Sequence, residues 1–269
     1  MIKDITFGQF FPGKSVIHRI DPRMKLVLLV AFIVFIFLCN NAVSLAVMGV
    51  FTLAVIFLSG VPFSLYLKNL KAILIIIILT SILNAFYVDT GRVLIDFWII
   101  KITLDGVKRA VFMSLRIVIL ILSSSVLTYT TTPTELTDAI ERLFKPLKYI
   151  GLDEAVHTMA MMITIALRFI PTLIEETDKI MGAQKARGAD LESGNLLQRV
   201  RALIPILIPL LMSSVRRAYE LADAMECRCY TGGSGRKRMK QLHLSVVDFI
   251  SVAICALVFS GVIVFNIIL

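Results

Sequence analysis

The longest stretch without Asp, Glu, Lys or Arg runs from Leu26 to Leu67, 42 residues. As helix it would extend about 63 Å at roughly 1.5 Å per residue. A bilayer's hydrocarbon core is about 30 Å thick, so the run provides for two crossings, with Asn40-Asn41 marking the turn between them. Ala72 to Val88 gives a third span, and Ala110 to Tyr129 a fourth that is interrupted by Arg116. Phe249 to Leu269 gives the last. Composition agrees: 58% of the residues are hydrophobic, where soluble domains have about 45–50%. The expected fold class is all-α, a polytopic membrane protein of about five transmembrane helices with long amphipathic cytoplasmic helices.

Charge sets the expected topology. Of 28 Lys and Arg, 23 lie before the first span, between the second and third, or between Thr130 and His243. Cations gather on the cytoplasmic side of a membrane protein, so the N-terminus is expected inside and the C-terminus outside. The other face keeps Arg92 and Lys101, with Lys108 and Arg109 near its edge. The net charge of +9 is mostly this bias, and nucleic acid is not needed as a partner. No cleavable signal is expected, because the first apolar run starts late and leads directly into another. The expected organisation is a cytoplasmic N-terminal segment 1–24, a membrane domain 25–129, a cytoplasmic domain 130–243 and a last transmembrane helix 244–269. On these grounds the chain is expected to lie in a membrane, in contact with lipid.

The cytoplasmic segment opens with Thr132-Pro133-Thr134-Glu135, a capping box with proline at the first helical position. A short helix around Leu136 to Leu147 should stop near Pro146. A second runs from Asp153 to Arg187, bent at Pro171 and closed by Gly188. Its uncharged part, Ala155 to Leu167, is too short to span. After a linker through Ser193-Gly194-Asn195, a third helix runs from about Leu196 to Tyr230, kinked at Pro205 and Pro209. Thr231 to Arg238 reads as a charged loop leading back to the membrane.

Both long helices end in near-matching phrases, Ala183-Gln-Lys-Ala186-Arg187-Gly188 and Ala224-Met-Glu-Cys227-Arg228-Cys229. Each has an alanine four residues before a lone arginine and a small residue on either side of it. An arginine in a last turn stabilises the helix dipole by a few tenths to about 1 kcal/mol, which accounts for one cation. It does not account for the flanking small residues, which suit a helix tip entering a tight pocket. There, arginine paired with a carboxylate is worth about 1.5–3 kcal/mol. Two tips presented alike suggest two docking points rather than one active site.

Catalytic readings are weaker. Gly8-Gln-Phe-Phe-Pro-Gly13-Lys14-Ser15 fits the phosphate-loop pattern, but that mechanism needs a preceding buried strand and a following helix. Cys227 and Cys229 form a C-x-C without histidines at ligand spacing, a poor zinc site. His18, His157 and His243 are scattered, and no metal or other cofactor is expected. Glu175-Glu176 sits in a polar helix, where a solvated face is the simpler reading. Arg116 lies within a span, at a cost of about 2.5–3.5 kcal/mol on insertion scales. It must snorkel, pair with a carbonyl or meet a partner subunit. An autonomous permease or intramembrane hydrolase using Arg116 and Glu175-Glu176 is the competing functional class.

The chain also resembles a known family. Asp21-Pro-Arg-Met-Lys-Leu26, Thr131-Thr-Pro-Thr-Glu-Leu136, Leu167-Arg-Phe-Ile-Pro-Thr172, Ala183 to Gly188 and Arg217-Ala-Tyr-Glu-Leu-Ala222 with Ala224 to Tyr230 recur in order over nearly its whole length. Together they resemble the transmembrane T component of energy-coupling factor transporters. The resemblance implies an L-shaped helical protein that is not itself an enzyme. It also implies two ATP-binding partner subunits, whose grooves take the helix-end arginines, and a substrate-binding S component held by the membrane part and coupling helices. Carried over by position, the coupling arginines are Arg187 and Arg228, and the transported substrates are vitamins or other micronutrients. Here Cys227-Arg228-Cys229 stands where the family often has Ala-Arg-Gly or Ala-Arg-Cys; cysteine is still small.

Overall fold

The computed structural model describes residues 10–87, 93–97, 100–144, 153–189, 195–232 and 243–268. They fall into two compact units. One comprises the described residues of Gly8–Leu136 and Gln241–Leu269, the other those of Thr137–Lys240. The first holds a single-turn α1 (Val16–Arg19), then α2 (Pro22–Leu38), α3 (Ala42–Ser59), α4 (Phe63–Tyr87), α5 (Leu104–Thr130) and α9 (Val246–Ile268). The second holds α7 (Asp153–Ala186) and α8 (Leu196–Glu226), preceded by α6 (Pro133–Leu143).

The all-helical architecture carries one small addition, an antiparallel hairpin of β1 (Val93–Phe97) and β2 (Ile100–Thr103). Its register pairs Phe97 with Ile100 and Val93 with Thr103, with an irregularity between Val93 and Ile95. Thr103 then caps α5, its hydroxyl accepting from the Gly106 amide at 3.1 Å.

Helix boundaries follow local chemistry more than charge. α4 starts at Phe63 and runs through Lys68 and Lys71, well before the uncharged run begins. The capping box at Thr132 forms as its sequence requires: the Glu135 amide donates to the Thr132 hydroxyl at 3.2 Å, and the Thr132 amide to Glu135 at 3.4 Å. α6 therefore begins at Pro133 and ends at Leu143, short of Leu147. The expected stop at Pro146 and the residues Ser193 and Gly194 lie outside the described residues. α7 and α8 run on through Pro171, Pro205 and Pro209 without ending.

Among the described residues six helices are long and apolar enough to cross a membrane: α3, α4, α5, α7, α8 and α9. α2, with 17 residues, stands at the short end of the spanning range. Four of the five expected spans are thus among the six, and the additions are α7 and α8. Their uncharged parts, Ala155 to Leu167 and Ala202 to Val215, cover only about 20 Å each.

Within the first unit, α2 is fastened at both ends. At its start Asp21 caps the helix, accepting from the Arg23 amide at 2.9 Å. The Asp21 amide in turn donates to Asp248 Oδ1 at 2.7 Å, and the Ser245 amide donates to Asp248 Oδ2 at 2.6 Å, which ties in the start of α9. Lys25 Nζ donates to the Thr130 carbonyl at 2.9 Å and the Thr131 hydroxyl at 3.3 Å, which ties in the end of α5. At the far end the Asn266 side-chain amide of α9 donates to the Leu38 carbonyl at 3.0 Å, while its oxygen accepts from the Asn40 amide at 3.2 Å. Between the clamps, Phe32 and Ile36 pack with Met48, Ile119 and Phe259. A second cluster joins Ile56, Tyr66, Val126 and Tyr129. There the Tyr66 and Tyr129 rings meet edge-on at 5.1 Å, and the fully buried Tyr66 hydroxyl lies 3.2 Å from Ser59 Oγ.

Asp248 is 1% exposed and meets two backbone amides. Removing a charged acceptor leaves both N–H groups without a partner, at about 3 kcal/mol. Asp248→Ala should lower the thermal unfolding midpoint of the detergent-solubilised protein by about 6–12 °C, and Asp248→Asn by less.

Candidate docking site

The two arginine phrases fold into the same structure. At the end of α7 the Gly188 amide donates to the Lys185 carbonyl at 3.0 Å and the Ala189 amide to the Gln184 carbonyl at 3.0 Å. At the end of α8 the Cys229 amide donates to Glu226 at 2.8 Å and the Tyr230 amide to Met225 at 3.0 Å. This pairing, one bond reaching back five residues around another reaching back three, is the Schellman closure of a helix. In both ends the arginine is the last residue before the chain reverses. The reversing residue is left-handed: Gly188 has φ +84°, and Cys229 has φ +56°.

The correspondence extends to exposure. Ala183 and Ala224, Ala186 and Cys227, Arg187 and Arg228, and Gly188 and Cys229 are all exposed. Gln184 and Met225 are half-buried, as are Ala189 and Tyr230. Each end is therefore anchored by the two residues that close its turn and presents the others outward. Each arginine amide closes the helix, Arg187 onto Ala183 and Gln184 and Arg228 onto Met225, while among the described residues neither guanidinium has a hydrogen-bonding or ionic partner. An added Cβ at Gly188 would meet no atom within 4 Å, so backbone conformation alone selects glycine there. The sequence expectation of a third helix reaching Tyr230 is corrected to Glu226, because Cys229 adopts the left-handed conformation.

α7 and α8 run antiparallel. Gln184 meets the Pro205 carbonyl at 3.4 Å, Arg217 donates to Glu176 at 2.7 Å, and the Tyr230 hydroxyl lies 3.0 Å from Met161 Sδ. These contacts advance along the two helices in opposite directions, so Arg187 and Arg228 stand at opposite ends of the pair. The distance from Met161 to Arg187 is 26 residues of α7, about 39 Å. The cross-helix pairing was not read from the sequence; the opposite charges of Glu176 and Arg217 were its only signal.

The competing candidates have local partners. Arg116 donates to the Cys39 carbonyl at the end of α2, and its guanidinium lies 4.9 Å from the Phe112 ring. Of the three roles left open by the sequence, the structure shows carbonyl pairing. Glu176 is engaged by Arg217, while Glu175 is exposed beside it. In the phosphate-loop match, Ser15 Oγ lies 2.7 Å from His18 Nδ1, and His18 Nε2 reaches the Phe11 carbonyl at 3.0 Å. A Cβ on Gly13 would strike the His18 ring at 2.7 Å, and the helix that follows is one turn long. Among the described residues the loop is packed on His18, which occupies the space beside Gly13. His157 pairs with Glu141 at 3.0 Å, joining α6 to α7.

Comparison with known proteins finds relatives over nearly the whole chain. The family model described as CbiQ, cobalt transport protein, matches residues 13–240. The chain is 52% identical to the energy-coupling factor transporter transmembrane protein EcfT of Clostridium kluyveri, over 96% of this chain and 95% of that one. The EcfT proteins of Thermosediminibacter oceani and Bacillus subtilis are 49% and 46% identical, over 92% and 90% of this chain and 92% and 91% of theirs.

The two reversing residues differ in strain. A left-handed cysteine costs roughly 1 kcal/mol that glycine does not. Cys229→Gly should therefore slow amide exchange across residues 225–230 by about fivefold, and Gly188→Val should speed it across 184–189 by at least as much. Hydrogen–deuterium exchange read by mass spectrometry measures both.

Proposed function

The chain belongs to the CbiQ family and to the energy-coupling factor transporter transmembrane proteins, and on that premise we propose that it couples two ATP-binding subunits to a substrate-binding S component. It is a multi-pass protein of the bacterial cell membrane and a component of a transporter. In the proposed mechanism Arg187 and Arg228 enter carboxylate-lined grooves of the two ATPases. Ala183, Ala186 and Gly188 on one tip, and Ala224, Cys227 and Cys229 on the other, allow close approach of the groove walls. Closure of the ATPases on ATP moves the two tips, α7 and α8 carry that displacement, and the S component reorients to release a vitamin or other micronutrient inward. ATP hydrolysis belongs to the partners, and this chain supplies no catalytic group.

The observation that carries the reading is the repeated helix end: one backbone closure, one pattern of exposure and one bare guanidinium, at both ends of an antiparallel pair. A dipole-stabilising cation needs none of the flanking small residues. Two separated, equivalent tips suit two related partners better than a single cleft. The Glu176–Arg217 pair gives the levers a fixed point of contact, although exposed ion pairs contribute at most about 1 kcal/mol. The permease or hydrolase alternative has less support, since Arg116 and Glu176 are both engaged within their own helix packing.

Arg187→Glu and Arg228→Glu should each weaken association with the ATPases by about ten- to a hundredfold, the loss of one charge-assisted pair. Uptake should fall accordingly. Lysine at either position should restore part of it, since it keeps the charge and loses the planar fork. Full ATPase association and full transport in the double Arg→Glu variant would remove the docking assignment.

A further inference from the structure

An open groove of about 1100 Å³ runs between α3 and α5. Its floor is apolar, with Ala46, Gly49 and Leu53 from α3 facing Phe112, Leu115 and Ile119 from α5. Gly49 lets α3 approach α5 closely at Ile119, where a Cβ would lie 3.3 Å from Cδ1, and the groove lies along this contact. At its mouth stand Lys108 and Arg109, both exposed, on the second turn of α5. From Lys108 to the last lining residue, Leu122, the helix rises about 21 Å.

Two adjacent exposed cations stand at the mouth, with only the Asp105 carboxylate among the lining residues. In the charge pattern of the sequence they lie at the edge of the face expected to carry few cations. Arg116, lower in the same wall, keeps a buried Nε without an acceptor among the described residues. α5 passes at this height from its polar start into the apolar run that begins at Ala110, so the pair stands where a phospholipid phosphate lies. A groove apolar along its length and cationic at its mouth matches one acyl chain and one anionic headgroup.

We propose that the α3–α5 groove is a binding site for an anionic phospholipid, its phosphate held by Lys108 and Arg109 and an acyl chain lying against Ala46, Gly49 and Leu53. Bound lipid lies along the outer side of the α3–α5 contact, against the exposed Ala46 and Leu53. The site is independent of the helix ends at Arg187 and Arg228, and its test uses no ATPase.

The full chain, purified in mild detergent, is titrated with phosphatidylglycerol or phosphatidylcholine and read by native mass spectrometry. Phosphatidylglycerol should bind more tightly by about fivefold for each cation. The Lys108→Gln/Arg109→Gln variant should lose this preference while still binding either lipid. Ala46→Phe, which fills the groove from an exposed position, should lose both lipids with the cations intact. Lys71→Gln, at the other end of the molecule, should change nothing. Equal binding of the two lipids by the unaltered chain, or unchanged binding in both groove variants, would overturn the proposal. So would a photocrosslinker at position 46 that captures a protein chain and no lipid in the assembled transporter.

Discussion

A polar group placed where water does not reach must be met by protein, and in a bilayer that requirement decides which helix lies beside which. Lipid tails are as apolar as leucine, so burial of side chains alone gives little preference among partners. α2 shows how the preference is supplied. Asp248 of α9 takes two backbone amides, Lys25 takes the last carbonyl of α5, and Asn266 and Arg116 reach the carbonyls at the other end. The phrase Asp21-Pro-Arg-Met-Lys25 thereby acquires a function for most of its letters. Asp21 caps, Pro22 starts the helix without needing a partner for its nitrogen, and Lys25 crosses to α5. Arg116, costly in a span, is in place as the cap of another helix.

The helix ends obey the same accounting in a different medium. A Schellman turn satisfies the last carbonyls of a helix internally, so the tip needs no outside acceptor or donor for its backbone. The arginine just before the reversal is then free to serve something else. Gly188 fits the left-handed position without strain, and Cys229 occupies it at some cost, yet the hydrogen bonds are the same. That two different residues reach one geometry argues that the geometry, rather than the residue, is what the two ends share.

The legible part of the fold was the part governed by local rules. Uncharged length gave α2 and α9 to within four residues; α3 ends eight residues before the uncharged run does, and α5 begins six residues before its own. The capping box at Thr132 and the glycine at 188 gave two helix ends. The start of α4 at Phe63 was missed because Lys68 and Lys71 interrupt hydropathy without interrupting helix propensity. The β1–β2 hairpin was missed because its short apolar run between turns resembles the flank of a span. Of the candidate site, the phrases and their likeness were visible; their opposite placement depends on α7–α8 contacts between residues tens of positions apart, which periodicity does not carry. The role of Arg116 needed the Cys39 carbonyl, 77 residues away.

That opposite placement also bears on how α7 and α8 meet the membrane. By length and composition either helix could cross it. An antiparallel pair that did so would put Arg187 on one side and Arg228 on the other, some 39 Å apart. The proposed ATPases occupy the cytoplasm, so only a pair lying along the membrane surface offers both tips to them. Charge favours the same orientation. Each helix has two charged residues near its start (Asp153 and Glu154, or Arg199 and Arg201), an apolar run through Ala155–Leu167 or Ala202–Val215, and then charged turns carrying Glu175, Glu176 and Lys179, or Arg216, Glu220 and Asp223. Crossing would draw one of these charged halves into hydrocarbon, whereas lying flat leaves them wet. The stretch of α8 around Leu203, Leu207 and Leu211, exposed in this chain, is then an apolar surface left open beside the wet charged turns.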